Sequence, residues 1–490
     1  MRKRIHQIEL FIKYPHNVQK EVFSNLIKHG KGTMFGKEHF FHSIQSYSDF
    51  VKQVPIRTYE DLFPYINQTR KGEENVLWPS KVSWFAKSSG TTNAQSKYIP
   101  VSKESLEECY FKGGKDMLSF YCNNFPDTNI FDGKGLMLGG SLQKNGMYNF
   151  TEGDISAILI NNFPFWVNIH RTPDLKTALL NDWEEKLKRI VDQGINSNVT
   201  SLTGVPSWML VLLNKILEKT GAKDIAEIWP NLELYMHGGI NFSPYNDQFK
   251  QLIPNKKMNY LEAYNASEGF FGIQDQSNVD ELLLMLDYGI FYEFIPLEKL
   301  KKGEKEAIPL SDVELNKNYA LVISTNAGLW RYLIGDVIRF SSTYPYRMKI
   351  IGRTKSYINA FGEELMVENS NIAIKTACER TNAQIKDYTV APIYLSEDAG
   401  AHQWLIEFKK PANNVHDFCI HLDVKLKELN SDYQTKRINN LILKKPEIIV
   451  LKTGSFYRWM DSKKRLGGQY KIPRLNNDRK IVDEILEQEC

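Results

Sequence analysis

Residues 87–100 read KSSGTTNAQSKYIP. Two serines, a glycine and two threonines fall in a predicted turn, and Lys97 and Pro100 follow after a short spacer. Hydroxyls and backbone N–H groups gathered in such a turn can wrap an oxyanion such as a phosphate, and a lysine adds a point charge. The same composition also makes an ordinary polar loop. What decides between the two readings is whether the rest of the chain supplies partners for the loop.

A chain of 490 residues is too long for one compact core and predicts two or three domains. Apolar residues make up 42% and charged residues 24%, ordinary for a soluble globular protein. The 62 basic and 58 acidic residues leave a net charge of +4, which argues against a dedicated nucleic-acid or polyanion binder. Cys109, Cys122, Cys378, Cys419 and Cys490 are odd in number and widely spread, and no CxxC pair appears. Neither a disulfide framework nor a zinc site is indicated, and a reducing cytoplasm is expected. The basic N-terminus has no continuous apolar run and reads as an amphipathic helix, not a signal peptide. No apolar stretch approaches membrane-spanning length. Richness in Lys, Asn and Ile points to a low-GC bacterial source.

The periodicity alternates between helix and strand. Helical patterns cover roughly 5–30, 102–121, 175–194, 206–220 and 243–252. Strand-like runs include 135–138, 232–236, 258–262 and 319–323. Strands separated by helices predict an α/β class with a largely parallel sheet covered on both faces. Near Phe291 to Phe340 the pattern changes to successive strands with polar turns, and helices return after Met366. The polar stretch 341–355 is the predicted boundary, dividing a large domain (1–350) from a smaller C-terminal α/β domain (351–490).

Four later segments could meet the Ser/Thr loop. Tyr260 to Gly272 reads YLEAYNASEGFFG, an apolar strand running into a small-residue turn with Tyr264, Ser267 and Glu268. Ligands of open α/β sheets bind at the carboxyl ends of strands; there Tyr264 can stack on a base, Ser267 can contact phosphate and Glu268 can hold Mg²⁺. The alternative is a strand end whose Ser/Glu pair caps a helix. Gly328 to Phe340 reads GLWRYLIGDVIRF. Gly335-Asp336 is either a plain hairpin or bulge, or it presents a carboxylate to a ribose diol, and Arg331 could neutralise a phosphate or a nearby carboxylate. Ile351 to Leu365, IGRTKSYINAFGEEL, reads as a hairpin or, at the proposed boundary, a hinge. Gly467 to Arg474, GGQYKIPR, reads as a loop carrying Lys471.

Taken in order, these five segments resemble the acyl-adenylate-forming superfamily, which includes acyl-CoA synthetases, luciferase and peptide-synthetase adenylation domains. More narrowly, SSGTT followed by KYIP, with YNASEGFFG, GLWRYLIGDVIRF and GGQYKIPR, resembles the auxin-responsive (Gretchen Hagen) acyl-acid amido synthetase family. The resemblance spans about residues 15–475. It implies a large adenylate-forming domain and a smaller, mobile C-terminal domain.

The resemblance also implies roles. Ser88, Ser89, Gly90, Thr91 and Thr92 would cradle the ATP phosphates. Gly238 and Gly239 would lie against adenine, with Tyr264 stacking. Ser267 would touch the α-phosphate, Glu268 would bind Mg²⁺ and Asp336 would hold the ribose. Arg353 would sit at the hinge, and Lys471 would neutralise the α-phosphate. Gly269, Phe270 and Phe271 would line the acyl pocket, covered by the helix 104–118. The implied enzyme is a ligase that converts a carboxylic acid to acyl-AMP and then transfers the acyl group to an amine, expected to be an amino acid. Coenzyme A as acceptor, and a non-catalytic nucleotide-binding module, are the rival readings. Plant members usually carry a glycine in the spacer where this chain has Asn93-Ala94-Gln95-Ser96, and they are longer. The acyl pocket is therefore not expected to copy an auxin or jasmonate site.

Overall fold

A computed structural model describes residues 2–88, 97–145, 150–239, 242, 245–277, 279–354, 357–358, 360–361, 363, 365–394, 400–437, 443–466 and 471–489. They form two compact units: Met1–Gly239 with Pro254–Lys349, and Ile240–Ile253 with Ile350–Cys490.

The first unit opens with two helices, Arg2–Lys13 and Pro15–Gly30, where the pattern predicts one. Pro15 is the cause. It disfavours helical backbone at the residue before it and is itself well placed at a first helical position; Tyr14 accordingly has φ −128° and ψ 54°. The 175–194 pattern also divides, into Leu175–Ala178 and Trp183–Ile195. Here Asp182 leaves the helical path to cap the second piece, accepting from the Glu185 N–H at 2.7 Å. Helix Pro206–Thr220 matches expectation and stops at Gly221, φ 70°.

In chain order the strands are β1 (Trp84–Ser88), β2 (Lys97–Val101), β3 (Lys134–Met137), β4 (Leu142–Asn145), β5 (Phe150–Gly153), β6 (Arg171–Thr172), β7 (Val199–Gly204) and β8 (Leu234–Gly238). Then come β9 (Asn259–Ala266), β10 (Gly269–Ile273), β11 (Leu282–Leu284), β12 (Ile290–Pro296), β13 (Ile308–Pro309), β14 (Asn318–Thr325), β15 (Tyr332–Thr343) and β16 (Tyr346–Arg353). One sheet has the order β2-β1-β5-β4; a twelve-stranded sheet has the order β13-β12-β14-β15-β16-β11-β10-β9-β8-β7-β3-β6. Neighbours among β6, β3, β7, β8 and β9 are parallel, whereas β9–β10, β10–β11 and β11–β16 are antiparallel. Parallel pairs need crossover connections. Trp183–Ile195 and Pro206–Thr220 supply two of them, burying Leu187, Ile190, Leu212, Leu213 and Ile216. Each such side chain contributes roughly 1.5–3 kcal/mol by leaving water.

The second unit holds β17 (Tyr357–Ile358), β18 (Leu365–Met366), β19 (Gln384–Tyr394), β20 (Gly400–Lys410) and β21 (Glu447–Leu451), the last three forming one sheet in that order. Alternation along β20 serves two cores. Trp404 and Ile406 pack with Ile374, Phe418 and Leu422 of one helix pair. Leu405 packs with Phe456, Trp459, Val482 and Ile485 of another. Helix Asn246–Leu252, which lies in the connection from β8 to β9, belongs to this unit. Gln248 Nε2 donates to the Ile385 carbonyl at 2.5 Å, and Arg474 Nη2 donates to the Tyr245 hydroxyl at 2.7 Å.

Candidate active site

Strand β9 turns directly into β10. Gly269 pairs with Ala266, so Ser267-Glu268 is a two-residue hairpin turn, not the capped helix start that a Ser/Glu pair also allows. Hairpin turns ordinarily face solvent, yet Ser267 is 4% and Glu268 9% exposed. The cover is the expected helix after Pro100, which runs Lys103–Ser105, a wider i→i+5 turn over Leu106–Tyr110, then Phe111–Asn124. The Tyr110 hydroxyl donates to the Ser267 carbonyl at 2.8 Å and the Ala266 carbonyl at 3.1 Å. The Phe270 N–H donates to Cys109 Sγ at 3.2 Å. Gly113 lies so close to the Phe270 ring that a Cβ there would stand 2.7 Å from it. The sequence reading missed Tyr110 and Cys109, because helical periodicity marks both merely as an inward face.

Asp336 is aimed by a bulge. Leu333 pairs with Val322 and Val337 with Ala320, so Ile334, Gly335 and Asp336 stand opposite Leu321 alone. Gly335 has φ 93°, a conformation open to glycine. Bulges re-aim side chains in this way beside active sites. The Tyr264 hydroxyl donates to Asp336 Oδ2 at 2.6 Å. The Tyr264 ring packs on Phe271, with centroids 4.8 Å apart, and the residue is 5% exposed.

At the end of β8, a Cβ on Gly238 would stand 2.4 Å from the Ala263 carbonyl, and Gly239 has φ 83°. Neither position accepts a side chain without strain. His237 beside them is pushed down to about 3 by burial and is neutral at pH 7. Its partner in register on β9, Glu262, is pushed up to about 7 by burial, with Asp280 adding to the effect. Glu262 is a third residue the sequence reading passed over; its signal was a lone carboxylate inside a strand.

The other expected residues are distributed as follows. Ser88 closes β1 and pairs with Lys97, the first residue of β2. Ser89, Gly90, Thr91 and Thr92 lie outside the described residues, as do Gly467 to Tyr470. At the base of the β1–β2 connection the Arg70 guanidinium lies 3.7 Å from the Tyr98 ring centroid. Gly269 packs against Ile290, Phe270 against Tyr288 and Phe271 against Tyr292, and all three residues are buried. Arg331 contacts a carboxylate: it is buried at φ 45°, and its Nη2 donates to Glu293 Oε1 at 2.8 Å while Nη1 donates to the Val54 carbonyl at 2.7 Å. In the second unit, Arg353 ends β16. Lys471 is exposed, and the residues after it are anchored to β19. Thr389 Oγ1 donates to the Pro473 carbonyl at 2.6 Å, and Arg474 bonds to Asp387 and to the Tyr388 carbonyl.

Comparison with known proteins identifies the family. The model described as the GH3 family N-terminal domain matches residues 4–258, that of the central domain 283–353 and that of the C-terminal domain 368–480. The indole-3-acetic acid-amido synthetase GH3.4 of Arabidopsis thaliana is 23% identical, over 96% of this chain and 91% of its own. Among solved structures, the GH3.15 acyl acid amido synthetase superposes with a TM-score of 0.81 at 16% identity, over 100% of this chain and 96% of that one. A 2-hydroxyisobutyryl-CoA ligase, solved in the postadenylation state with 2-HIB-AMP, gives 0.61 at 11% identity, over 96% and 91%. The fold is thus that of the adenylate-forming enzymes, and with the N-terminal model alone covering more than half its length, the chain belongs to the GH3 family.

Proposed function

We propose that the protein is an ATP-dependent acyl-acid amido synthetase. A small-molecule carboxylate attacks the α-phosphorus of ATP, forming acyl-AMP and expelling pyrophosphate. The amine of an amino acid then attacks the acyl carbon, forming the amide and releasing AMP. The observation that carries this reading is the convergence of the Ser267–Glu268 turn, Tyr264 and Asp336 on one sheet of a chain in this family.

The protein's task is positioning and charge neutralisation. Asp336 is a part-exposed carboxylate able to accept from a ribose diol. Gly238 and Gly239 keep the end of β8 free of side chains where a flat base would lie. Ser267 would hold the α-phosphate and Lys471 would offset charge on it. Ser88 to Thr92 would grip the departing pyrophosphate. Gly269, Phe270 and Phe271 would form the wall toward the acid, and Arg353 would serve the change between half-reactions.

Among the described residues no group of three or more His, Cys, Asp or Glu side chains is placed to hold a metal. Glu268, a single buried carboxylate, fits Mg²⁺ carried in on the phosphates, since that ion is commonly held by one or two carboxylates plus substrate oxygens. So held, the ion would neutralise phosphate charge. The attacking amine must be neutral, and His237 at about 3 is too weak a base to make it so at pH 7.

The test is ATP–pyrophosphate exchange across aromatic, aliphatic and hydroxy acids, followed by product analysis with an amino-acid panel against coenzyme A. Acid-dependent exchange and an amide product are expected. No exchange with any acid sinks adenylation, and a thioester product in place of an amide moves the enzyme to the CoA ligases.

A further inference from the structure

The Ser267-Glu268 turn is built against the usual preference of its kind. Two-residue hairpins favour turns with positive φ at the first or at both central residues, because those match the strand twist. Neither Ser267 nor Glu268 has a positive φ. The register of the two strands shifts just beyond the turn, between Phe270 and Gly272. A turn of this kind has one soft coordinate, the orientation of its central peptide. Flipping that peptide requires φ > 0 at the second central residue, here Glu268. The flip would reverse the Ser267 carbonyl and the Glu268 N–H and force Glu268, which carries a Cβ, into the left-handed region, straining the backbone from which its carboxylate is presented.

The carbonyl of that central peptide belongs to Ser267, and it is the group the Tyr110 hydroxyl meets at 2.8 Å, sharing its proton with Ala266 O at 3.1 Å. Tyr110 is 4% exposed, so no water competes readily for the bond. It sits in the wider turn Leu106–Tyr110. Consecutive residues of a regular helix point about 100° apart; here both Cys109 and Tyr110 reach the hairpin, the thiol at the Phe270 N–H and the phenol at the turn. Such wide turns recur at functional sites.

We propose that Tyr110 is a positioning residue for adenylation: its hydroxyl holds the Ser267–Glu268 peptide in the single orientation that presents Ser267 to phosphate and Glu268 to the phosphate-bound metal. The inference rests on reading this turn as part of the ATP site.

The experiment is Tyr110→Phe, which removes one oxygen and keeps the ring, measured by pyrophosphate exchange over ATP and acid concentration and by calorimetric titration of Mg²⁺ into the ATP-bound enzyme without acid, which gives the Mg²⁺ midpoint in the absence of turnover. The expected result is a fall of about tenfold or more in maximal exchange, as for small misplacements of reacting groups, with a raised Mg²⁺ midpoint and an unchanged KM for the acid. Cys109→Ala is the control, since it loosens the same helix from β10 without touching the turn carbonyls; its Mg²⁺ midpoint should stay at the wild-type value. A folded Tyr110→Phe enzyme with the wild-type midpoint overturns the proposal. So does an equal shift in Cys109→Ala, which would make the effect one of packing alone. Glu268→Gln, run in parallel, separates the two levels: wild-type exchange and midpoint in that variant would overturn the reading of the turn itself, and the inference with it.

Discussion

Tyr264 on β9 and Asp336 on β15 are joined by a 2.6 Å hydrogen bond although their strands stand four places apart in one sheet. In a flat sheet that separation would be roughly 19 Å, beyond the reach of a tyrosine. The antiparallel half must therefore curl until the bulge at Gly335 faces the β9–β10 hairpin. The short β11 and the bulge are where such curvature is taken up. Tyr264→Phe leaves Asp336 without this donor and is expected to raise the KM for ATP by about tenfold, as for loss of a hydrogen bond to a charged group. Asp336→Ala and Lys471→Ala should each cut maximal exchange by about a hundredfold or more. Wild-type exchange in both of the latter would remove these residues from the ATP site.

Gly113 and Gly114 offer a paired stability test. A Cβ at Gly113 would stand 2.7 Å from Phe270, whereas at Gly114 it meets nothing within 4 Å. Gly113→Ala should therefore cost about 1–3 kcal/mol through overpacking. Gly114→Ala should stabilise the helix by up to about 1 kcal/mol. Denaturant melts of the two variants check this; equal effects would mean that the helix does not lie on the hairpin as described.

Arg331 and Glu293 form an ion pair with side chains only 3% and 0% exposed. Tyr47 also donates to Glu293, at 2.9 Å. Arg331→Ala strands a buried carboxylate and should destabilise the protein by about 3–5 kcal/mol. The folded enzyme should keep a KM for ATP within about twofold of wild type, as expected when no substrate contact is lost. A large rise in that KM without loss of stability would restore the phosphate role that the sequence also allows for Arg331.

His237 and Glu262 predict opposite pH dependences. The His237 pKa falls from 6.5 to about 3 on folding, so its stabilising contribution is present above pH 6.5 and is lost as pH falls toward 3. The Glu262 pKa rises from 4.5 to about 7, so its contribution is present below pH 4.5 and is lost as pH rises toward 7. Between pH 4.5 and 6.5 the two slopes, each up to about 1.4 kcal/mol per pH unit, cancel. Stability measured across that window should fall with rising pH in His237→Asn and rise with it in Glu262→Gln. Parallel curves for the two variants would contradict these environments.

Local rules explain what the sequence showed and what it hid. Crossover helices and parallel strands were legible because their apolar residues repeat at 3.6 and near-continuous spacings, as in Pro206–Thr220 and β8. Gly335-Asp336 was legible as a bulge or hairpin because glycine marks backbone that other residues avoid. The turn at Ser267-Glu268 was ambiguous, since Ser and Glu also cap helices, and only pairing with β10 resolves it. Tyr110 was hidden because its partners are backbone carbonyls 156 and 157 positions away, which leave no trace in local pattern. Helix Asn246–Leu252 looked like one more crossover of the large sheet; its allegiance is set by Ile385, Gln384 and Arg474, far along the chain.

That last allegiance bears on any attempt to cut the protein in two. The polypeptide leaves the first body at Gly239, returns at Pro254 and leaves again at Lys349. The bodies are interleaved in sequence, and no single cleavage separates them. A fragment ending at residue 350 would keep Tyr245 and Gln248 but forfeit the guanidinium and carbonyl that satisfy them. Its poor behaviour would then report a stranded insert, not a nucleotide-binding half unable to fold. A faithful dissection would replace residues 240–253 with a short linker before truncating.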